Sequence, residues 1–191
     1  MFVLKRCAST VAAAFIVLAV GLTGPASAGT AQAEARFDGQ ARAAGLTVGQ
    51  TEALQAKMDR YLARHGGHQV AANEIRLTDG ATLTVTVPGE AYVRDMAAPA
   101  GTRSAAQWEC DYEYFCMYRE TLGMGDRLAL YYCQDYALNN WVGEGSYYNN
   151  QTRGTQAQFK DQNRTVIHTT LGAPWSMASF DWTPVWYVKP C

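Results

Sequence analysis

The sequence has no basic charge to spare: 16 Lys and Arg stand against 17 Asp and Glu, for a formal net charge of -1. A phosphate backbone is held by clustered Lys and Arg, so nucleic acid is not an expected partner. Beyond the N-terminus no stretch is apolar enough to cross a bilayer. Histidine is scarce, with three in the whole chain and only His168 in the second half, where a nucleophilic triad would need a base beside its nucleophile. "GEGSY" around Ser146 lacks the flanking glycines of a nucleophile elbow. No internal repeat marks a solenoid. These absences argue against an enzyme, and no cofactor or metal is expected.

What is present begins with residues 1–28, which combine Lys5 and Arg6, an apolar run, and Gly24-Pro25 ahead of Ala26-Ser27-Ala28. That is the pattern of a secretory signal peptide with a small-residue cleavage site. Its removal takes away Lys5, Arg6 and no acid, moving the formal charge from -1 to -3. Cys7 leaves with it, and of the five cysteines Cys110, Cys116, Cys133 and Cys191 remain. An even number in an exported chain points to disulfides, and four allow three connectivities. Zinc is the rival, but it prefers two closely spaced pairs, and here only Cys110 and Cys116 are close. The expected location is extracellular, with no membrane association once the signal is cleaved.

The remainder divides into 29–96, a small α+β region of helix plus hairpin and a candidate prosegment; a linker at 97–106; and a β-rich domain at 107–191. In the first part Thr47 and Gln50 form a capping box ahead of a helix that presents Leu54, Met58, Tyr61 and Leu62 on one face and stops at Gly66-Gly67. "HGGH" at 65–68 is explained by that helix end, where cationic side chains are favourable, better than by a metal site. Two strands are expected about Asp79-Gly80, with Leu83, Val85 and Val87 alternating against threonines.

All five tryptophans lie in the second part. Strand-like runs at 112–118, 126–132, 155–159, 164–169 and 185–188, separated by Gly, Asn and Pro, predict an all-β sandwich or barrel. Glu109, Asp111 and Glu113 alternate as one face of a solvated strand would. Tyr118 ends a strand, Gly125 supplies the positive φ of a folded turn, and Ser146 follows in "NNWVGEGSYYNNQTRG".

Tyr118, Gly125 and Ser146 occupy the places of the aromatic, glycine and serine that pin the folded hairpin of the βγ-crystallin Greek-key motif, which the sequence resembles. "CDYEYFCMYRETLGMG" at 110–125 is also similar to the opening of the actinobacterial peptidase inhibitors of the Streptomyces metalloproteinase inhibitor type. The resemblance covers about 110–150 and extends less clearly to the C-terminus. It implies a disulfide-braced Greek-key sandwich, pairing of Cys110 with Cys116 and of Cys133 with Cys191, and inhibition of a secreted metalloprotease through a rigid surface loop. Two departures stand out. No glycine follows Phe159 where a second key requires it, and neither Asn139-Asn140 nor Asn149-Asn150 completes a calcium motif, so calcium is not expected. The family's reactive bond lies beside a cysteine, and the nearest such bond here is Cys133-Gln134.

For binding, Tyr147, Tyr148, Asn149 and Asn150 have the composition of a recognition loop. Trp175 and Trp182 are candidate contacts for a protease or a sugar ring, whereas Trp186 reads as core. Secreted protease inhibition is the expected function, with a non-catalytic module for cell-wall or other carbohydrate as the alternative. A monomer is expected.

Overall fold

The computed structural model describes residues 36–98 and 106–191. The signal segment and most of the 97–106 linker lie outside the described residues. Residues 36–43 are helical (α1), and α2 spans Val48–His65. Its start carries the expected capping box: Gln50 N donates to Thr47 Oγ1 at 3.3 Å, and Thr47 N donates to Gln50 Oε1 at 3.0 Å. Its end is Gly66, at a φ of 71° that glycine adopts without strain. Leu54 and Met58 are buried, and Tyr61 and Leu62 pack partly against the same core. No helix among the described residues is long and apolar enough to cross a membrane.

Eleven strands follow among the described residues: β1 His68–Ala71, β2 Glu74–Arg76, β3 Thr82–Thr84, β4 Phe115–Tyr118, β5 Arg127–Leu130 and β6 Tyr136–Ala137. They continue as β7 Glu144–Asn149, β8 Gln158–Lys160, β9 Val166–Thr169, β10 Trp175–Asp181 and β11 Tyr187–Lys189. They form two antiparallel sheets, ordered β1-β2-β3-β5-β4-β7-β10 and β6-β11-β8-β9. Of the run β4 to β7, the third strand leaves for the second sheet. Of the run β8 to β11, the third strand crosses back and pairs with β7. Each sheet is thus closed by a strand borrowed from the other run.

Between the sheets sits an aromatic core. Phe159 of the second sheet lies 5.8 Å from Phe115 and 5.4 Å from Tyr147 of the first, and 5.1 Å from Trp182. Such tilted and edge-on pairs add modestly to the burial of large apolar rings.

The Asp79-Gly80 hairpin forms as expected between β2 and β3, and an additional strand, β1, arises because the chain turns at Ala72-Asn73. The side-chain amide of Asn73 fastens that turn, donating to the carbonyls of Val85 at 3.1 Å and Arg94 at 2.8 Å. β3 then pairs with β5, Leu83 opposite Leu128, so one sheet runs across the boundary between the two halves of the sequence. One buried core joins Leu54 and Ile75 to Phe115 and Val188.

The close cysteine pair has a structural explanation. Phe115 and Met117 of β4 face the main core, while Cys116 and Tyr118 face the opposite side, where Trp108, Cys110, Tyr114 and Tyr148 cover them. The Cys110–Cys116 disulfide ties the preceding segment across that outer face. The expected strand over 112–118 therefore begins only at Phe115, because Glu113 sits at a φ of 75° within the disulfide loop and breaks the extended run.

After Tyr118 the chain folds back through a short 3-10 turn, Thr121–Gly123. Gly123 and Gly125 have φ values of 74° and 78°, and a Cβ on Gly125 would lie 3.0 Å from Arg119 Cβ. Ser146 Oγ pins the fold, accepting from Gly123 N at 2.9 Å and donating to the Glu120 carbonyl at 2.6 Å. The ring against this turn is Trp108, which packs on Gly123, with Tyr118 edge-on to Trp108 at 5.6 Å. Replacing Ser146 by alanine leaves a buried N–H and a carbonyl without their partner. A loss of about 1–3 kcal/mol is expected, read as a lower denaturant midpoint at unchanged slope.

Candidate functional site

β5 ends in the core at Leu130, and the chain must then cross from one sheet to the other to begin β6. In that crossing Tyr131, Tyr132, Cys133 and Gln134 are all exposed. The sequence pattern places Tyr131 and Tyr132 in the strand; the structure places them beyond it, on the crossing.

The crossing is exposed yet tightly held. Cys133 is bonded to Cys191 at the chain end. The backbone N–H of Tyr132 donates to the Tyr136 hydroxyl at 3.0 Å, and that of Gln134 to the Tyr132 carbonyl at 2.9 Å. The Gln134 amide reaches the Asp79 carbonyl at 2.7 Å. Asp135 receives Lys160 at 2.6 Å and Arg164 at 3.0 Å, and these hydrogen bonds, the one from Lys160 above all, hold its carboxyl below the usual range. Tyr132 lies across Gly80, where an added Cβ would come within 2.8 Å of its ring. Glycine at position 80 therefore serves both the hairpin turn, at φ 87°, and the close approach of this ring.

Two tyrosines stand out from this face, Tyr131 and Tyr132, 44% and 56% exposed. Tyr131 packs 5.0 Å from Tyr114 and 5.4 Å from Tyr132, and its hydroxyl donates to Glu113 at 3.4 Å. The Glu113 charge pushes the Tyr131 hydroxyl pKa up. A shallow groove beside the disulfide is lined by Glu113, Tyr131, Tyr132, Gln151 and Thr155. The arrangement offers aromatic contact area and exposed peptide bonds on a backbone that has little freedom left to lose.

The residues singled out from sequence are distributed differently. Cys110, Cys116, Cys133 and Cys191 pair as the resemblance implies. Tyr118 and Ser146 are buried at the folded hairpin. Tyr147 and Asn149 are fully buried, because 144–149 is a central strand rather than a loop. Asn149 donates to the Thr155 carbonyl at 2.8 Å and Asn150 to the Cys110 carbonyl at 2.9 Å, so both amides hold the fold. Tyr148 is half-buried against Trp108. Trp182 is core, Trp175 is 41% exposed, and Trp186, read as core, is 52% exposed.

Of the three acidic residues, Glu109 is drawn toward Arg127 at 3.8 Å while burial raises its pKa, and Glu113 supports Tyr131. They do not share a strand. His168 stacks on Phe159 at 5.1 Å, and burial lowers its pKa. Among the described residues no group of three or more His, Cys, Asp and Glu side chains is placed to hold a metal ion.

These features define a mostly β chain of two antiparallel sheets, stapled by two disulfides, with a restrained aromatic crossing loop. Compared with models of known protein families, with characterised proteins and with solved structures, the chain matches none.

Proposed function

We propose that this protein is an exported peptidase inhibitor, directed at metallopeptidases, and that Tyr131–Asp135 is the segment that enters the enzyme's cleft. The observation that carries the reading is the combination of exposure and restraint in that segment: four exposed residues are held by a disulfide, three hydrogen bonds and a double ion pair. A substrate-like loop inhibits when little entropy remains to be lost on binding. The exchange of third strands between the two runs and the Tyr118, Gly125 and Ser146 hairpin support a βγ-crystallin-like Greek-key sandwich as the scaffold. The disulfides support an oxidising, extracellular setting.

The test is a titration of thermolysin, and of a subtilisin for comparison, with the oxidised 29–191 chain. Stoichiometric inhibition of thermolysin is expected. Tyr132→Ala is expected to raise Ki about thirtyfold, the effect of losing a central aromatic contact worth about 2 kcal/mol. Trp175→Ala is expected to leave Ki unchanged. Absence of inhibition at micromolar concentration removes this reading. The exposure of Trp175 and Trp186 supports a second one, a carbohydrate or cell-wall binding module, which saturable retention on insoluble wall material would select.

A further inference from the structure

A groove of ≈ 320 Å³ lies where β11 begins. Two segments build it, residues 137–142 at and after β6 and residues 183–187 leading into β11. They are tied to each other: the Trp182 N–H donates to the Gly143 carbonyl at 2.9 Å, and the Gly143 N–H to Thr183 Oγ1 at 3.2 Å. Trp141 anchors the first segment inward, and Trp182 and Val185 anchor the second, all three buried. Val142 and Trp186 are left outside, each more than half exposed.

Trp186 is exposed without being loose. Its N–H donates to the Lys160 carbonyl at 2.8 Å, and its carbonyl accepts from Leu138 N at 2.8 Å, so the backbone is held from both sides where the ring projects. Leu138, Val142 and Val185 supply apolar wall, and Asn139, Asn140 and Thr183 supply polar groups. The side-chain amides of Asn139 and Asn140 hydrogen-bond to no other described residue, unlike those of Asn73, Asn149 and Asn150, which hold the fold. Among the described residues none that lines the groove is charged. Tyr187 also lines it, but the Arg164 guanidinium lies 4.3 Å over that ring and is itself paired with Asp135 at 3.0 Å. Trp186 therefore presents the larger open aromatic face.

This combination fits one ligand chemistry. A hexopyranose with equatorial hydroxyls has an apolar C–H face that stacks on an indole, and a rim of neutral hydroxyls that both donate and accept, as the asparagine amides do. An ionised ligand would lose hydration in the groove with no opposite charge to replace it, and a purely aliphatic one would cover the amides without replacing their water. We propose that the groove is a subsite for an uncharged, glucose-configured unit of a glycan, stacked on Trp186 and hydrogen-bonded by Asn139 and Asn140. The assignment rests on the carbohydrate-binding reading and narrows it to Trp186 rather than Trp175.

The experiment is an NMR titration of the oxidised 29–191 chain, following the Trp186 indole N–H, with cellotriose, tri-N-acetylchitotriose and the glucuronate trimer of the same linkage. The expected result is a saturable shift of that resonance by a neutral trisaccharide, with a Kd of about a millimolar or tighter, and severalfold weaker binding of the glucuronate trimer. Trp186→Ala is expected to weaken binding at least about tenfold. Asn140→Gly, which keeps the φ of 57° without strain, is expected to weaken it severalfold, and Trp175→Ala to leave it unchanged. No Trp186 shift up to about 10 mM, well above a millimolar Kd, equal or tighter binding of the glucuronate trimer, or unaltered binding by Trp186→Ala overturns the proposal. Retention on insoluble wall material that survives Trp186→Ala and is lost with Trp175→Ala overturns this subsite and keeps the carbohydrate reading, whereas neither retention nor a shift removes both.

Discussion

Replacing Asp126 with alanine is expected to cost about 3–5 kcal/mol, the usual effect of removing one member of a buried charge pair. Asp126 is buried where the two halves of the chain meet. Its Oδ1 accepts from Lys57 Nζ at 2.6 Å, Thr86 N at 2.8 Å and Thr86 Oγ1 at 2.7 Å, and its Oδ2 accepts from the Tyr61 hydroxyl at 2.5 Å. Alanine removes the acceptor all four share, and of them Lys57 keeps its bonds to the Thr86 carbonyl at 3.3 Å and hydroxyl at 2.9 Å. Lys57 is only partly buried and can recover some hydration, so the loss falls most heavily on the Thr86 amide and hydroxyl and on Tyr61. Burial, followed by the Asp126 charge, pushes the Tyr61 hydroxyl pKa up to about 12, so it remains a donor throughout the neutral range.

The same residue sets a pH dependence of known sign. Burial alone would raise the Asp126 carboxyl, but the charge of Lys57 and the bonds from Lys57, Tyr61 and Thr86 outweigh it, and its pKa lies below the ordinary 3.8. A carboxyl lowered in the folded state contributes stability that is fully present above its unfolded pKa and is lost as pH falls through the folded one. Asp126→Asn is therefore expected to flatten the acid limb of the stability curve, while the exposed Asp59→Asn shifts stability by less than about 0.5 kcal/mol. Urea unfolding followed by far-UV circular dichroism and by tryptophan fluorescence checks the cooperative part. All tryptophans lie beyond residue 107, so coincident transitions mean that the two halves unfold as one. Separate transitions, or a loss below about 1 kcal/mol on Asp126→Ala, would show that this contact does not bind them together.

That contact bears on what residues 29–96 do. A detachable prosegment would leave β5 as an edge strand, with the peptide groups opposite β3 and the Arg127 contact to Thr84 at 3.0 Å both unpaired. Gly125 N would also lose the Ala91 carbonyl at 2.8 Å, and Gln134 its hold on Asp79. An exposed edge invites pairing with other chains. The N-terminal half thus completes the sheet and one support of the crossing loop, a contribution that its balanced charge and small size did not disclose.

Local signals in the sequence translated well. The capping box at Thr47, the Asp79-Gly80 hairpin and the Tyr118 to Gly125 turn are each specified by side chains a few residues apart, and each formed where the pattern placed it. Besides β1, which the chain forms by turning at Ala72-Asn73, three strands were missed: β6, β7 and β10. β6 has two residues; β7 carries Asn149 and Gly145, which read as loop chemistry; and β10 is mostly exposed, so it lacks apolar alternation. The candidate loop at 146–150 failed for a related reason. Tyr and Asn look like surface recognition residues until the partners that bury them are in place, Phe159 from the other sheet and the Thr155 carbonyl from the loop that follows β7. Conversely, Tyr131 and Tyr132 look like the end of a strand, and only the switch of sheets after Leu130 turns them outward. Their signal was the cysteine that follows, since a strand end next to a long-range disulfide marks a chain held at the surface.

On the proposed inhibitory function, removing the Cys133–Cys191 bridge, as the Cys133→Ser, Cys191→Ser double variant, is expected to convert the protein from an inhibitor into a substrate. The bridge spans a sequence separation of 58, and on a chain-entropy estimate such a loop contributes about 4 kcal/mol. The functional consequence follows from where the restraints sit. If a protease cuts the Cys133-Gln134 or Gln134-Asp135 bond, the chain on the C-terminal side stays in place through Asp135, Lys160 and Arg164. The chain on the N-terminal side ends near Cys133, and the disulfide is what keeps that new end beside its former neighbour. With both ends fixed, resealing competes with release and the complex persists. Without the bridge the N-terminal end moves away and the product departs. Wild-type protein is expected to remain largely intact after prolonged incubation with thermolysin, whereas the double variant accumulates a cut between Cys133 and Asp135, located by mass spectrometry, and loses inhibition at least tenfold. Ser146→Ala distinguishes this from general destabilisation, because it weakens the folded hairpin without touching the crossing loop and should keep its Ki. If Ser146→Ala loses inhibition in parallel with the double variant, overall stability and not the tether governs the activity. If the double variant still inhibits and stays whole, the contact surface lies elsewhere, and the exposed crossing loop is no more than a link between the sheets.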